Sequence, residues 1–119
     1  LMCCPRDFIV LSGDDFTALP SVYLGAKGVI SVVSNLEPGK MAKLMDAALK
    51  GNMPEANRLH FELFHLMGAM FCYPSPAPAK KGLELMGRIA SADLRLPMTT
   101  MDEPALARLE QDMRELGLI

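Results

Sequence analysis

Two short apolar runs without alternation dominate the first third of the chain. Phe8, Ile9, Val10 and Leu11 form the first, and Ser12, Gly13, Asp14 and Asp15 end it abruptly. The second is GVISVV over residues 28–33, ended by Ser34 and Asn35. Unbroken apolar runs of this length predict strands buried on both faces, the kind found in parallel sheets. The pattern therefore places strands at residues 8–12 and 28–33. Between them, residues 16–24 predict a short helix, capped by Asp14 or Asp15 and closed by Gly25, with Pro20 near its first turn. Strand, helix and strand make a βαβ unit with a right-handed crossover and parallel pairing. Both strands then present polar residues at one edge, the edge at which parallel α/β folds carry their chemistry.

After residue 35 the period changes to that of helices. Residues 38–49 predict a helix with Met41, Leu44, Met45, Ala48 and Leu49 on one face, stopped by Gly51. Asn52 and Glu55 form a capping box for the next helix, with Pro54 in its first turn. Its stripe is Leu59, Leu63, Leu66, Met67 and Met70, and it runs to about residue 71. Residues 72–78, with three prolines in seven, predict an extended connector. A shorter helix over residues 79–86 ends at Gly87. Thr100 and Glu103 offer a second capping box for a last helix to residue 116, with Leu106, Leu109, Met113 and Leu116 inward and Gly117 closing it. Two parallel strands do not make a stable sheet alone. The pattern thus predicts further strands upstream of Leu1, with this chain as the C-terminal part of a larger α/β protein.

Composition narrows the function classes. The chain has 119 residues, half of them apolar, and a net charge of −2. One core fits this length, and the near-balance of charge argues against a nucleic-acid face or an anionic-membrane patch. No apolar run reaches the ~18 residues of a membrane span. Cys3, Cys4 and Cys72 lack any disulfide or zinc spacing and read as reduced thiols of a cytoplasmic protein.

Candidate chemistry within the residues is sparse. Asp14 and Asp15 are neighbours, so one can cap the helix while the other meets a ligand. His60 and His65 lie about 140° apart on a helix, which excludes chelation of one metal and makes both partly exposed or interface histidines. Lys27, Lys40, Lys43, Lys50, Lys80 and Lys81 all lie away from a strand's carboxyl end, where a desolvated Schiff-base amine is expected. No phosphate loop, zinc-protease or dinucleotide motif is present.

Four segments occur in order: LSGDD (residues 11–15), LGAKGVISVVSN (24–35), PSPAPAK (74–80) and LRLPMT (94–99). Together they resemble the dihydrodipicolinate synthase branch of the class I pyruvate-dependent aldolase family, over nearly the whole chain. The resemblance implies an α/β fold, the C-terminal part of a (β/α)8 TIM barrel. Residues 1–50 would hold its last two β/α units and residues 51–119 a C-terminal helical subdomain. It implies a lyase that condenses pyruvate with aspartate semialdehyde through a Schiff base, giving 4-hydroxy-tetrahydrodipicolinate in lysine biosynthesis by the diaminopimelate route. The Schiff-base lysine and the proton-relay residues would lie upstream, leaving no catalytic residue in this chain. Gly13 matches the glycine whose backbone approaches pyruvate, and Ile30 the strand-eight isoleucine that contacts it. Ser12 and Asp14 lie near the pocket by the same match. No cofactor or metal is implied, and the assembly would be a cytoplasmic homotetramer. The family commonly has a glutamate and an asparagine in the proline-rich loop, where this chain has Tyr73 and Ser75. Sialic-acid and sugar-acid lyases share the barrel and the pyruvate chemistry. A reading of another class is a truncated barrel acting as a non-catalytic interaction module.

Overall fold

The two apolar runs pair in parallel, but over a shorter length than their sequence predicts. In the computed structural model, which describes residues 3–5 and 7–119, Ser12 and Val29 form a parallel bridge. The Lys27 amide donates to Val10 O at 2.8 Å, Ser12 N to Gly28 O at 2.9 Å, and Ile30 N to Ser12 O at 2.8 Å. No regular strand forms among the described residues, and this corrects the strands placed at 8–12 and 28–33. An isolated two-strand contact holds little regular structure without neighbours on its outer edges. The second run also leaves the extended conformation early. Val32 is already helical in its dihedrals, and Val33–Asn35 is a 3-10 turn. Ser31 and Ser34 favour that turn by local bonds. Ser34 N donates to Ser31 Oγ and Ser34 Oγ to Ser31 O, each at 2.9 Å. Within this chain the apolar runs are left largely uncovered, as two strands without their sheet neighbours are expected to be. Phe8, Ile9, Leu11 and Ile30 are 57%, 67%, 46% and 68% exposed.

Among the described residues, five α-helices follow the predicted order: α1 (Asp15–Tyr23), α2 (Pro38–Leu49), α3 (Met53–Ala69), α4 (Ala77–Leu85) and α5 (Glu103–Glu115). Two compact units, Leu1–Leu63 and Phe64–Ile119, divide within α3. In the first unit, α2 packs against α1 and against the 3-10 turn. The core there joins Ala18, Leu19 and Val22 of α1 with Val33 and Leu36 of the turn region. Met41, Leu44, Met45 and Ala48 of α2 complete it, with Ala56, Leu59 and Leu63 of α3. Leu49, placed inward by the period, is half exposed, and Ala47 is buried instead. Leu49 is the last residue of α2, at the rim of the packed face. Asp14 caps α1, accepting from Thr17 N at 2.9 Å, and Gly25 closes the helix with φ 110°, a conformation open to glycine.

In the second unit α4 packs against α5. Leu66, Met67 and Met70 of the α3 region are fully buried, as are Leu109 and Met113 of α5. Leu106 and Leu116 are half-buried. Two boundaries differ from the pattern. Helix α4 starts at Ala77, inside the predicted connector, because Pro78 sits in its first turn, where a missing N–H costs least. Helix α5 is capped by Asp102 rather than by Thr100. Asp102 Oδ1 accepts from Ala105 N at 2.9 Å.

Candidate functional site

The site predicted from the sequence lies where the two extended segments end. Ile30 N on Ser12 O is the last rung of the parallel contact. Beyond it the chains diverge, one into α1 and the other into the 3-10 turn. Ser12 is buried, and its hydroxyl serves the turn into α1. Ser12 Oγ donates to Asp14 O at 2.8 Å and accepts from Asp14 N at 3.2 Å. Gly13 is exposed, and a Cβ added there would meet nothing within 4 Å, so its backbone faces open space. Ile30 presents its side chain at the same edge, largely exposed. The structure thus brings Ser12, Gly13 and Ile30 to one edge through backbone bonding.

The two aspartates divide in an unexpected way. Asp14 is half-buried, and its carboxylate is engaged as the cap of α1. Its Oδ2 accepts from both Thr17 N and Thr17 Oγ1 at 2.9 Å. Asp15, the first residue of α1, is fully buried. Its Oδ2 reaches across to accept from Val32 N at 3.0 Å and Val33 N at 3.1 Å, while its Oδ1 is buried without a hydrogen-bond partner. The sequence offered Asp15 as a helix cap, a first-turn acid or a ligand-meeting acid, and not as the acceptor of the Val32 and Val33 amides. Its signal was its position, an acid directly after the capping acid at the end of an apolar run.

The lysines behave as ordinary surface groups. Lys40 pairs with Glu62 at 2.7 Å, Lys50 lies 3.9 Å from Asp46, and Lys27 and Lys43 are exposed. Lys80 donates to Asp93 O, and Lys81 pairs with Glu84. No group of three or more metal-ligating side chains occurs among the described residues. His65 is exposed and His60 half-buried. Burial pushes the Cys72 thiol up from its ordinary range, away from the reactive thiolate, and its Sγ contacts Ala105 O at 3.8 Å. The second unit also holds a cavity of 340 Å³ between α4, the loop at residues 92–94 and the start of α5, lined in part by Lys81, Glu84, Asp93 and Thr100. Lys81 and Glu84 answer each other there. The Lys81 ammonium and the Ala92 amide, at 3.0 Å, bond Glu84 and hold its carboxyl below the usual range.

The family model of the dihydrodipicolinate synthetase family matches residues 1–116. The chain belongs to this family. It is 52% identical over 116 residues to the 4-hydroxy-tetrahydrodipicolinate synthase of Desulfotalea psychrophila, covering 98% of this chain and 39% of that protein. A dihydrodipicolinate synthase crystal structure superposes with a TM-score of 0.91 at 45% identity, over 94% of this chain and 38% of the other. A synthase variant described as monomeric superposes at 0.90 with 38% identity, over 95% of this chain and 37% of its own. The chain therefore spans about two fifths of the length of the synthase relatives it matches. The short parallel contact and the helices after it are a part-length piece of this barrel family's fold. No helix of the described residues is long and apolar enough to cross a membrane.

Proposed function

We propose that this chain is the C-terminal portion of a 4-hydroxy-tetrahydrodipicolinate synthase, a lyase of lysine biosynthesis that joins pyruvate to aspartate semialdehyde through a Schiff base. Residues 1–50 supply the last two β/α units of its barrel, and residues 51–119 its helical subdomain. Gly13 and Ile30 form one wall of the pyruvate pocket, with Ser12 and Asp14 lining it. The Schiff-base lysine belongs to the part of the barrel that precedes this chain. The parent enzyme is a cytoplasmic homo-oligomer, tetrameric by the family resemblance.

The observation that carries this assignment is the parallel register of Ser12 on Val29. It sets Gly13 and Ile30 at one exposed edge, in a chain that is 52% identical to a named synthase. Both positions offer what a small keto acid needs, an approachable backbone and an apolar side chain. The test is the intact mass of the natural protein after pyruvate and borohydride, followed by product analysis with aspartate semialdehyde. A reduced pyruvate adduct and the cyclic condensation product are expected. An adduct with product formed only from a sugar aldehyde moves the assignment to a sugar-acid aldolase. Absence of any adduct leaves a non-catalytic member of the family.

A further inference from the structure

Asp15 does a job that neither a helix cap nor a surface acid requires. Its side chain is fully buried at the head of α1. The capping role there belongs to Asp14. One oxygen of Asp15 instead holds two consecutive amides, Val32 N and Val33 N, seventeen and eighteen residues further along the chain. These amides open the 3-10 turn Val33–Asn35, where backbone donors lack partners inside the turn itself. Burying a carboxyl group is costly unless donors meet it, and two bonds from backbone amides supply that compensation.

The position of this clasp is what gives it a consequence. Asp15 lies three residues after Ser12, and Val32 lies two after Ile30. Between the two segments the last backbone rung is Ile30 N on Ser12 O at 2.8 Å. Past that rung, the Asp15 bonds are the next tie between the diverging chains. Along the chain, Gly13 and Asp14 lie between rung and clasp on one side, and Ser31 on the other. We infer that Asp15 is a positioning residue. It fixes the Gly13 backbone and the Ile30 side chain relative to each other and so sets the width of the pyruvate pocket. This rests on the proposed function for the identity of the ligand, and on the Asp15 hydrogen bonds to Val32 and Val33 alone for the clasp.

Asp15→Asn keeps a carbonyl oxygen for the two amides at nearly unchanged volume, while Asp15→Ala removes the acceptor. Both substitutions are made in the natural full-length protein. The amide exchange of Val32 and Val33 and the kinetics with pyruvate are then measured. Expected are fast exchange at both amides in the alanine variant and retained protection in the asparagine variant. A misplacement on the ångström scale is enough to raise the KM for pyruvate by roughly 10-fold or more in the alanine variant. Asparagine should restore most of that, and both variants should still form the borohydride-trapped adduct at saturating pyruvate. A role confined to stability lowers the melting temperature and leaves KM alone, and that result overturns the inference. Should the alanine variant not fold, Asp15→Ser, whose shorter side chain does not reach both amides, takes its place. Loss of Val32 and Val33 protection with a raised KM supports the pocket role, and an unchanged KM overturns it. A wild-type protein that forms no pyruvate adduct overturns the proposed function and the pocket role with it, while the exchange data still decide the clasp.

Discussion

At the scale of single residues, the adjacent aspartates at the head of α1 show how one step along a helix changes a role. Asp14 is the extended N-cap and meets the amide of Thr17, while Asp15, the first helical residue, is fully buried and bonds Val32 and Val33. Replacing Asp14 by alanine should cost about 1 kcal/mol in denaturant unfolding, the ordinary value of an N-cap. Asp112 makes a second prediction. It is 7% exposed and its Oδ2 is buried without a hydrogen-bond partner. Burial pushes its carboxyl up from the ordinary 3.8, against the opposing pull of Arg108 and His65 and with the push of Glu115. A carboxyl whose pKa is raised by folding binds its proton more tightly in the folded state. Its ionised form therefore costs stability at neutral pH, and that cost fades as pH falls through the raised value towards 3.8. Asp112→Asn should raise the melting temperature at pH 7. The advantage should vanish in melts below the ordinary carboxylate range.

At the scale of elements, α3 shows the division of labour along a helix. Leu59, Leu63, Leu66, Met67 and Met70 recur at intervals of three and four and are all at most 2% exposed. The opposite face carries Arg58, bonded to Glu55 and to Glu62 at 2.7 Å, and Lys40 of α2 reaches Glu62. The buried stripe, and not the exposed ion pairs, should hold the stability. Leu66→Ala should cost about 2–5 kcal/mol, the range for emptying a packed leucine site. Arg58→Ala should leave the unfolding midpoint nearly unchanged, because exposed pairs are screened by water and salt. Urea titrations of the two variants side by side check the contrast. The helices were legible in the sequence because this periodicity extends over many residues. Their ends were less so, since Asp102 and Thr100 both have capping chemistry and only the backbone path chose between them.

For the molecule as a whole, the decisive feature is the apolar surface around the short parallel contact. Phe8, Ile9, Leu11 and Leu24 are each 46% exposed or more. In the proposed barrel these residues meet neighbouring strands and helices. The isolated 119-residue chain should accordingly form no pyruvate adduct and condense nothing with aspartate semialdehyde. The natural full-length protein should do both, and borohydride trapping followed by intact mass measurement separates the two. Turnover by the isolated chain would sink the placement of the nucleophile upstream.

The sequence by itself determined the order of the helices, the stripe of α3, and the edge at which Ser12, Gly13 and Ile30 gather. Those follow from local chemistry: apolar period, capping residues, and the polar stops that end each apolar run. Tertiary structure decided the rest. It turned Val33 out of the extended segment into a 3-10 turn, kept the paired segments from becoming regular strands, and sent the Asp15 carboxylate across to Val32 and Val33. Each of these depends on a partner distant in sequence or on an edge left uncovered. Neither is written in the spacing of residues along one segment.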